Sequence, residues 1–265
     1  MLEVRNLCKT FAKGTVNEHT ALDHVSFTVA DDDFITILGS NGAGKSTLFG
    51  AIAGTFYADE GEIILDGRNI EELPEYKRAR VIGTLFQDPM KGTAPGMTIE
   101  ENLSLACNQN RRFPLSLAVQ RRDIARFREH LASFGMGLED RMKMKVGLLS
   151  GGQRQALTLL MATIAKPHLL LLDEHTAALD PATAEKVMGI TVRIVKEQRI
   201  PTMMITHNMG QALTVGNRTM MMDAGQVILD ISGQERQDMT VAKLMTLYSG
   251  ARGKELDNDR MLLST

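Results

Sequence analysis

The sequence predicts an α/β fold in which a mostly parallel sheet is flanked by helices, with an N-terminal antiparallel β subdomain and an inserted α-helical subdomain. A glycine-rich loop, Gly39–Thr47, joins an apolar strand-like run to a helix-like run. Two runs near the N-terminus alternate apolar and polar residues, as half-buried strands do. From about Thr98 to Lys145 the pattern is helical, and strand and helix signals alternate again after it. Such alternation is typical of α/β proteins.

The composition is that of an ordinary folded protein. The 265 residues include 43% hydrophobic and 23% charged residues, which is enough for a substantial core. Lysine and arginine number 30 against 32 aspartates and glutamates. Because there is no basic excess, we expect no nucleic acid partner. The two cysteines, Cys8 and Cys107, have no C-x-x-C context, so neither a zinc site nor a disulfide framework is indicated.

No stretch has the length of a membrane span. The strongest candidate, Leu169–Leu172, is followed at once by Asp173 and Glu174, whereas a spanning helix needs about 20 apolar residues. Met1–Arg5 lacks the apolar core of a signal peptide. We therefore expect a soluble, cytoplasmic chain that would act at a membrane only through a separate partner.

The N-terminal subdomain begins with two strand-like runs, Leu2–Leu7 and Asp23–Val29, which suit an antiparallel sheet with one covered face. Between them we expect a polar loop that contains Phe11. This aromatic ring is either a packing residue or a platform on which a purine base could stack. A turn at Asp31–Asp33 then precedes the apolar strand Phe34–Leu38.

The loop after this strand has the pattern G-x-x-x-x-G-K-[ST] of a phosphate-binding loop. It comprises Gly39, Ser40, Asn41, Gly42, Ala43, Gly44, Lys45, Ser46 and Thr47. Glycines let the backbone curl around an anion, and the helix that follows adds its positive N-terminal end. Lys45 supplies a cation for the β- and γ-phosphates, and the Ser46 hydroxyl reaches Mg²⁺. The alternative, a glycine-rich turn with a chance lysine, fits the strand–loop–helix context poorly, so the sequence predicts binding of a nucleoside triphosphate.

The next predicted elements are a helix and two strands, and a glutamine directly follows the second strand. Leu48–Ala53 predicts a helix with Gly54 as its C-cap, and Gly61–Gly67 predicts a strand that ends in a tight Asp-Gly turn. Val81–Phe86 predicts a further strand, with Gln87 directly at its end. A loop rich in glycine and proline follows.

The helical subdomain begins at Thr98, which has capping-box spacing to Glu101. We expect a break near Arg111–Pro114 and no strands within the subdomain. An amphipathic stripe is predicted from Leu117, Val119, Ile124, Phe127, Leu131 and Phe134. The arginines between positions 111 and 128 form either its solvated face or a contact surface for a partner.

The C-terminal half returns to alternating strands and helices. Leu149–Gln153 opens a helix, which we expect from Gln153 to Ala165, and a buried strand, His168–Leu172, ends in Asp173-Glu174. Asp180, with Pro181 at the first helical position, predicts the start of a helix to about Gln198. The remaining predicted elements are a strand at Thr202–Thr206 with His207 at its end, a hairpin from Arg218 to Asp230, and a helix at Val241–Tyr248 before a polar tail.

Four candidate positions of the site directly follow predicted strands. They are Gly39, Gln87, Asp173-Glu174 and His207. In an open parallel α/β sheet, functional side chains gather where the strands end. Each position alone is a weak signal, because a carboxylate there can cap a helix and a histidine there is more often structural. Together with a phosphate-binding loop, they predict one site around a phosphate group.

This ordered set resembles the nucleotide-binding subunit of an ATP-binding cassette (ABC) transporter, from about Leu2 to Met245, and so implies a P-loop NTPase core. In the family's terms, Gly39–Thr47 is the Walker A motif and Gln87 is the Q-loop glutamine. The signature motif and the Walker B strand are Leu149–Gln153 and Leu169–Asp173. The remaining matches are Glu174 after Walker B, Asp180 in the D-loop, His207 in the H-loop and Phe11 at the adenine-stacking position. The signature motif is the most specific of these.

The resemblance implies a role for each residue. Asp173 would hold Mg²⁺ through water, while Ser46 and Gln87 bind the ion more directly. Glu174 would polarise the attacking water, and His207 would orient that water and the γ-phosphate. The catalytic set is therefore Glu174, His207, Gln87 and Lys45.

The resemblance also implies a second copy of the chain. Ser150, Gly151, Gly152 and Gln153 lie at a helix N-terminus, which is itself an anion site. In the family this motif closes over ATP held by the opposite subunit of a head-to-tail dimer, and Asp180 of the D-loop is a further nucleotide-binding residue. Both half-sites are intact in this sequence, so we expect a homodimer with two active sites.

A separate single-domain ATPase chain is typical of bacterial ABC importers. The resemblance therefore implies integral membrane permease subunits, an extracytoplasmic solute-binding protein, and a location on the inner face of the membrane. His175, where many relatives have proline, and the stretch Met90–Pro95 are similar to importer ATPases for amino-acid-like solutes, tryptophan or tyrosine among them.

Three other classes of ABC ATPase are alternatives to an importer subunit. A soluble ABC ATPase of the iron–sulfur assembly type, which does not transport, remains the alternative to an importer. DNA-repair or chromosome ATPases need long coiled coils or zinc modules, and the 265 residues with two lone cysteines argue against this class. Translation factors of this superfamily need two cassettes, whereas this sequence shows one set of motifs.

We expect a single ABC ATPase domain over residues 1–265. Residues 1–97 would contain the β subdomain with the phosphate-binding loop and Gln87, and residues 98–148 the helical subdomain. Residues 149–248 would contain the signature, Walker B, D-loop and H-loop segments, and residues 249–265 a polar tail.

Overall fold

A computed structural model describes residues 1–88, 90–108 and 121–252. The chain divides into two compact units. The first comprises Met1–Ala79 together with the described residues from Pro201 onward, and the second is Arg80–Ile200. The predicted break at 111–114, the stripe residues Leu117 and Val119, and most of the predicted tail lie outside the described residues.

The elements of the first unit, in chain order, are β1 (Leu2–Phe11), β2 (His19–Val29), β3 (Phe34–Leu38), α1 (Lys45–Ala53), β4 (Glu60–Leu65), β5 (Arg68–Asn69) and α2 (Glu75–Arg78). The second unit contains β6 (Ile82–Leu85), α3 (Ile99–Asn108), α4 (Arg121–Ala132), α5 (Gly151–Thr163), β7 (Leu169–Asp173) and α6 (Pro181–Gln198), with a 3₁₀ turn at Val146–Leu148. The chain then returns to the first unit with β8 (Thr202–Ile205), α7 (Met209–Thr214), β9 (Arg218–Asp223), β10 (Gln226–Ser232), α8 (Gly233–Gln237) and α9 (Val241–Arg252).

The first unit contains a four-stranded antiparallel sheet in the order β2-β1-β4-β5. Along β2, the side chains of Val25, Phe27 and Val29 are buried while those between them are exposed. This period of two is what an antiparallel sheet with one covered face requires. Asp66 and Gly67, both with positive φ, form the turn between β4 and β5, as the Asp-Gly pair predicts.

A second group of strands in the first unit surrounds β3. Strand β3 is parallel to both β8 and β9, and β9 forms an antiparallel hairpin with β10. All five residues of β3 are buried, as expected for a strand covered on both faces. A cluster of buried side chains packs helices α7 and α9 against these strands, including Leu38, Met209, Met221 and Tyr248.

Helix α1 follows the glycine-rich loop and ends at Gly54, whose N–H donates to the carbonyl of Gly50. The fully buried Arg78 donates to the carbonyls of Ala51 and Ile52 in the last turn of α1, at 2.6 and 3.1 Å. A cation among the terminal carbonyls of a helix is favourable. Arg78 therefore fixes the end of α1 that lies away from the loop.

In the second unit, β6 and β7 pair in parallel, with Leu85 opposite Leu172. The capping box at the start of α3 is present, because Thr98 and Glu101 exchange hydrogen bonds. Phe127, Leu131 and Phe134 are buried, as the amphipathic stripe predicts. A single β-bridge joins Thr98 to Lys145.

The α/β fold class predicted from the sequence is confirmed. The prediction of a loop at Phe11 was wrong, because β1 continues to Phe11 by pairing with β2 as far as His19. The short helices α2, α7 and α8 were not predicted, since four to six residues are too few to show a helical period. Helix α5 begins at Gly151 rather than Gln153.

Candidate functional site

The glycine-rich loop begins directly after Leu38, the last residue of β3, and α1 starts at Lys45. The Lys45 side chain is only 5% exposed, and its ammonium donates to the carbonyls of Gly39 and Ser40 at 2.7 and 2.9 Å. The lysine therefore turns back over its own loop. This places a cation beside the positive end of a helix, which is an arrangement suited to binding a phosphate.

The N-terminus of α1 is shaped by Gly44. This residue has a φ of 97°, and a Cβ atom there would collide with the carbonyl oxygen of Ala21. Gly44 is the N-cap residue, and because glycine has no side chain, no side-chain hydrogen bond caps the start of the helix. Ser46, on the first turn, is exposed. The first turn of α1 thus fits a bound anion better than a protein capping group.

The turn after β9 supports the phosphate-binding loop. This contact was not predicted from the sequence. The N–H of Gly225 donates to the carbonyl of Ala43 at 3.1 Å, and the Ser40 hydroxyl donates to Asp223 Oδ1 at 3.4 Å. The sequence indicated only a hairpin turn here. Because about 180 residues separate the two segments, no local pattern could have revealed the contact.

Phe11 lies at the end of β1 with 39% of its surface exposed. Its ring packs edge to face against Phe56, with 5.3 Å between centroids and 78° between planes. The Lys9 ammonium lies 5.6 Å from the centroids of both rings. Phe11 is therefore both a packing residue and a partly exposed ring that could stack on a base.

His207 lies two residues after β8, directly before Asn208, which caps α7 by accepting from Gln211 N–H at 2.8 Å. On its other side, the Thr206 hydroxyl donates to Gln211 Oε1 at 2.8 Å and accepts from Asn208 N–H at 3.2 Å. The backbone is thus held on both sides of His207, and its side chain is half-buried.

In the second unit, the end of β7 places two carboxylates in succession. Asp173 is the last residue of the strand, and Glu174 follows with a φ of 45°. The Gln87 side chain donates from Nε2 to Glu174 Oε2 at 3.3 Å. This contact brings together two residues that are 87 positions apart and leaves the Gln87 amide oxygen as the acceptor for another ligand.

The next residue, His175, is buried, and its Nε2 lies 3.2 Å from the Thr191 hydroxyl on α6. Burial lowers the pKa of His175 from 6.5 to about 4. The imidazole is therefore neutral at pH 7, since burial disfavours the charged form.

The signature segment forms a capping box at the start of α5. Ser150 Oγ accepts from Gln153 N–H at 3.3 Å, and Gln153 Oε1 accepts from Ser150 N–H at 3.2 Å. Arg154 donates to the carbonyls of Gly147 and Leu149 at 3.2 and 2.9 Å. Gly152 is buried, and a Cβ there would collide with Thr183 Cγ2 on α6. This end of α5 is therefore held by hydrogen bonds and close packing.

Asp180 is the N-cap of α6 and accepts from the N–H of Thr183 at 3.0 Å. Hydrogen bonds from Thr183 lower the pKa of Asp180. The carboxylate is ionised at neutral pH and lies at the positive end of a helix. This confirms the helix start that Asp180 and Pro181 predict.

The three residues predicted to bind magnesium all carry oxygen donors. Ser46 offers an exposed hydroxyl, Gln87 an amide oxygen and Asp173 a carboxylate. Hard oxygen donors are what Mg²⁺ prefers. The structure places the phosphate-loop residues Gly39–Thr47 together in the first unit and joins Gln87 to Glu174 in the second.

The sequence matches the ABC transporter family over residues 22–177. It is 41% identical over 252 residues to the tyrosine transport ATP-binding protein of Clostridioides difficile (strain R20291), covering 95% of this chain and all of that relative. It is 36% identical to a methionine import ATP-binding protein of Corynebacterium efficiens, covering 86% of this chain and 61% of the relative. Among solved structures, a dimeric ATP-binding cassette in a post-hydrolysis state, bound to ADP and Pi, superposes with a TM-score of 0.74 at 28% identity. That comparison covers 88% of this chain and 98% of the other.

The chain belongs to the ABC transporter family. It is an ATP-binding cassette of that family with ATPase activity, and its relatives include import ATP-binding proteins. Within the described residues, no helix is both long and apolar enough to cross a membrane.

Proposed function

We propose that this chain is the ATP-hydrolysing subunit of a bacterial ABC importer and that it powers solute uptake through a separate membrane permease. The observation that carries the proposal is the 41% identity to a tyrosine transport ATP-binding protein, which extends over 95% of this chain and the whole of that relative. The match extends over the whole of a relative named for transport, which supports a role as the ATP-binding subunit of a transporter.

In this proposal, the phosphate loop Gly39–Thr47 binds the triphosphate. The Lys45 ammonium, which donates to two loop carbonyls, transfers its hydrogen bonds to the β- and γ-phosphates. The partly exposed Phe11 ring stacks on the adenine. Ser46 and Gln87 would hold Mg²⁺ directly and Asp173 would hold it through water, and the ion would supply positive charge that offsets the charge of the phosphates.

Glu174 polarises the attacking water, and His207 orients that water and the γ-phosphate. The hydrogen bond from Gln87 Nε2 to Glu174 supports this assignment, because it orients the carboxylate and directs the amide oxygen of Gln87 elsewhere. In a water-excluded site, a fixed carboxylate of this kind can accept a proton from water as the water attacks.

The signature residues Ser150, Gly151, Gly152 and Gln153, together with Asp180, act on ATP held by a second copy of the chain. Two observations support this homodimer. The signature forms the N-terminus of α5, where backbone N–H groups favour an anion, and a dimeric cassette of similar fold is known. The two copies would form two equivalent sites.

The remaining partners are integral membrane permease subunits and, through them, an extracytoplasmic solute-binding protein. The chain would then lie in the cytoplasm, on the inner face of the membrane. We propose an amino acid as the solute, with an aromatic amino acid first, because the relative that this chain matches over its full length carries the name of tyrosine transport.

The test is isolation of the tagged chain from detergent-solubilised membranes of its host, followed by reconstitution in liposomes with the proteins that accompany it. We expect a polytopic membrane protein to co-purify. Tyrosine, added with its binding protein, should stimulate ATP hydrolysis more than methionine or spermidine, and a complex carrying Lys45→Ala should show no stimulation. Recovery only with soluble iron–sulfur assembly proteins would overturn the importer proposal in favour of the non-transport alternative.

A further inference from the structure

His175 has no role in the proposed site, yet it occupies the position directly after Glu174. Its side chain is 2% exposed, and its Nε2 faces the Thr191 hydroxyl on α6 at 3.2 Å. An imidazole carries two polar nitrogens, and burying them costs free energy unless they are hydrogen-bonded. The histidine is therefore held at a specific place rather than filling space as an apolar residue would.

The direction of this hydrogen bond follows from the neighbouring atoms. The Thr191 hydroxyl donates its single proton to the carbonyl of Val187, at 2.9 Å, within α6. A hydroxyl has one proton and two acceptor positions. Both contacts of Thr191 are hydrogen bonds when its Oγ accepts from His175, an arrangement that places the proton of the neutral imidazole on Nε2.

The backbone before His175 is unusual. Glu174 has a φ of 45°, in the left-handed region that residues with a Cβ rarely adopt. Such conformations persist where surrounding contacts impose them. Before Glu174, the β7 residue Leu172 pairs with Leu85 of β6. After Glu174, its own carbonyl accepts from Ala177 N–H at 2.9 Å.

We propose that His175 is a positioning residue for Glu174. Its hydrogen bond to Thr191 anchors the chain to α6 immediately after the left-handed residue, and thereby fixes the direction of the Glu174 carboxylate. This inference rests on the proposed function, in which Glu174 acts on the attacking water. Helix α6 would then also support the reaction, because its residue Thr191 holds His175 in place.

The test compares steady-state ATPase kinetics of full-length variants. His175→Leu and Thr191→Val each remove the hydrogen bond. His175→Gln keeps an N–H donor at a similar reach, and Thr191→Ser keeps the hydroxyl. We expect the two disruptive variants to lower kcat by about tenfold or more with KM for ATP changed less than about twofold, since misplacement of a reacting group affects the chemical step. The two conservative variants should recover most of kcat.

Thr163→Val is the matched control. Thr163 is also fully buried, and its hydroxyl donates to a carbonyl four residues earlier, that of Leu159 in α5, at 2.8 Å. Thr163→Val therefore repeats the chemistry of Thr191→Val without touching His175. Thermal unfolding of each variant measures the general cost of the substitution, and Thr191→Val tests the inference even where His175→Leu does not fold.

A kcat for Thr191→Val equal to that of Thr163→Val, with conservative variants no better than disruptive ones, would overturn the positioning role. Glu174→Gln separates this failure from failure of the proposed site. If Glu174→Gln abolishes hydrolysis while the loss of the hydrogen bond has no effect, only the inference about His175 fails. If Glu174→Gln keeps normal hydrolysis, the role of Glu174 and the inference built on it both fail.

Discussion

At the scale of single residues, the phosphate loop depends on where one ammonium group lies. Lys45 is nearly buried and donates to two carbonyls of its own loop, Gly39 and Ser40. Both acceptors are backbone carbonyl groups of the loop itself, and they hold the ammonium in place over it. A phosphate that enters the loop would therefore meet a cation that is already positioned, which lowers the cost of ordering the side chain on binding.

Lys45→Ala should abolish hydrolysis and weaken ATP binding strongly, because charge-assisted hydrogen bonds to the phosphates are lost. Equilibrium binding of a fluorescent ATP analogue and a phosphate-release assay measure the two effects. Lys77→Ala removes an exposed lysine on α2 and should leave both unchanged. Near-normal ATPase activity in Lys45→Ala would disprove the assignment of the phosphate loop.

We expect His175 to make the stability of the protein depend on pH. Burial lowers its pKa from 6.5 to about 4, so the unfolded chain binds this proton more readily than the folded chain. The contribution of the neutral imidazole to the free energy of unfolding is therefore fully present above about pH 6.5. It is lost as the pH falls towards 4. At pH 5 the loss should be on the order of 2 kcal/mol, since each unit of pKa difference corresponds to about 1.4 kcal/mol.

We therefore expect wild type to lose more stability between about pH 7 and pH 5 than His175→Gln, whose side chain does not titrate. Urea unfolding at several pH values measures the difference, because all other titrating groups are common to both proteins. Parallel curves for the two proteins would show that the pKa of His175 is not lowered in the folded protein.

At the scale of elements, the neighbouring helices α5 and α6 of the second unit both begin with side-chain caps. Ser150 caps α5 and Asp180 caps α6. Gly152, in the first turn of α5, packs so closely against Thr183 in the first turn of α6 that no Cβ fits between them. The position of the signature segment therefore depends on the close packing of the first turns of α5 and α6. A single added methyl group at Gly152 would disturb this packing.

Gly152→Ala should lower ATPase activity by about tenfold or more, because the start of α5 must move to relieve the contact with Thr183. Gly189→Ala is the control, since a Cβ at this exposed position in the middle of α6 meets nothing within 4 Å. It should keep full activity and raise stability by about 0.4–1 kcal/mol. Equal activities of the two variants would argue against a role for the packing at Gly152.

At the scale of the whole molecule, the proposed site residues are shared between the two compact units. The phosphate loop Gly39–Thr47 and His207 belong to the first unit, whereas Gln87, Glu174 and the signature belong to the second. In the proposed homodimer, the signature of one copy acts on ATP held by the other. ATP binding and subunit association would then be a single linked equilibrium.

Glu174→Gln should bind ATP, hydrolyse it very slowly and accumulate as a dimer, because the water-polarising carboxylate is replaced by a neutral amide of similar shape. Size-exclusion chromatography with light scattering, with and without ATP, measures the association. The double variant Lys45→Ala with Glu174→Gln should stay monomeric. A Glu174→Gln protein that remains monomeric with saturating ATP would count against the two-subunit site.

The sequence by itself determined the features that depend on a few neighbouring residues. The pattern around Lys45 predicted a strand, a loop and a helix in the right places. Asp180 with Pro181 predicted the start of α6, and Asp66 with Gly67 predicted a hairpin turn. Capping and turn formation join groups only a few residues apart, so their chemistry can be read along the chain.

Only the tertiary structure decided the contacts between distant segments. It extended β1 to Phe11 through pairing with β2, placed Gly225 against the phosphate loop, and joined Gln87 to Glu174 and His175 to Thr191. The residue types at these positions allow many partners. The choice among them depends on which strands pair and which helices pack, and those interactions are set by the burial of apolar surface over the whole chain rather than by any local pattern.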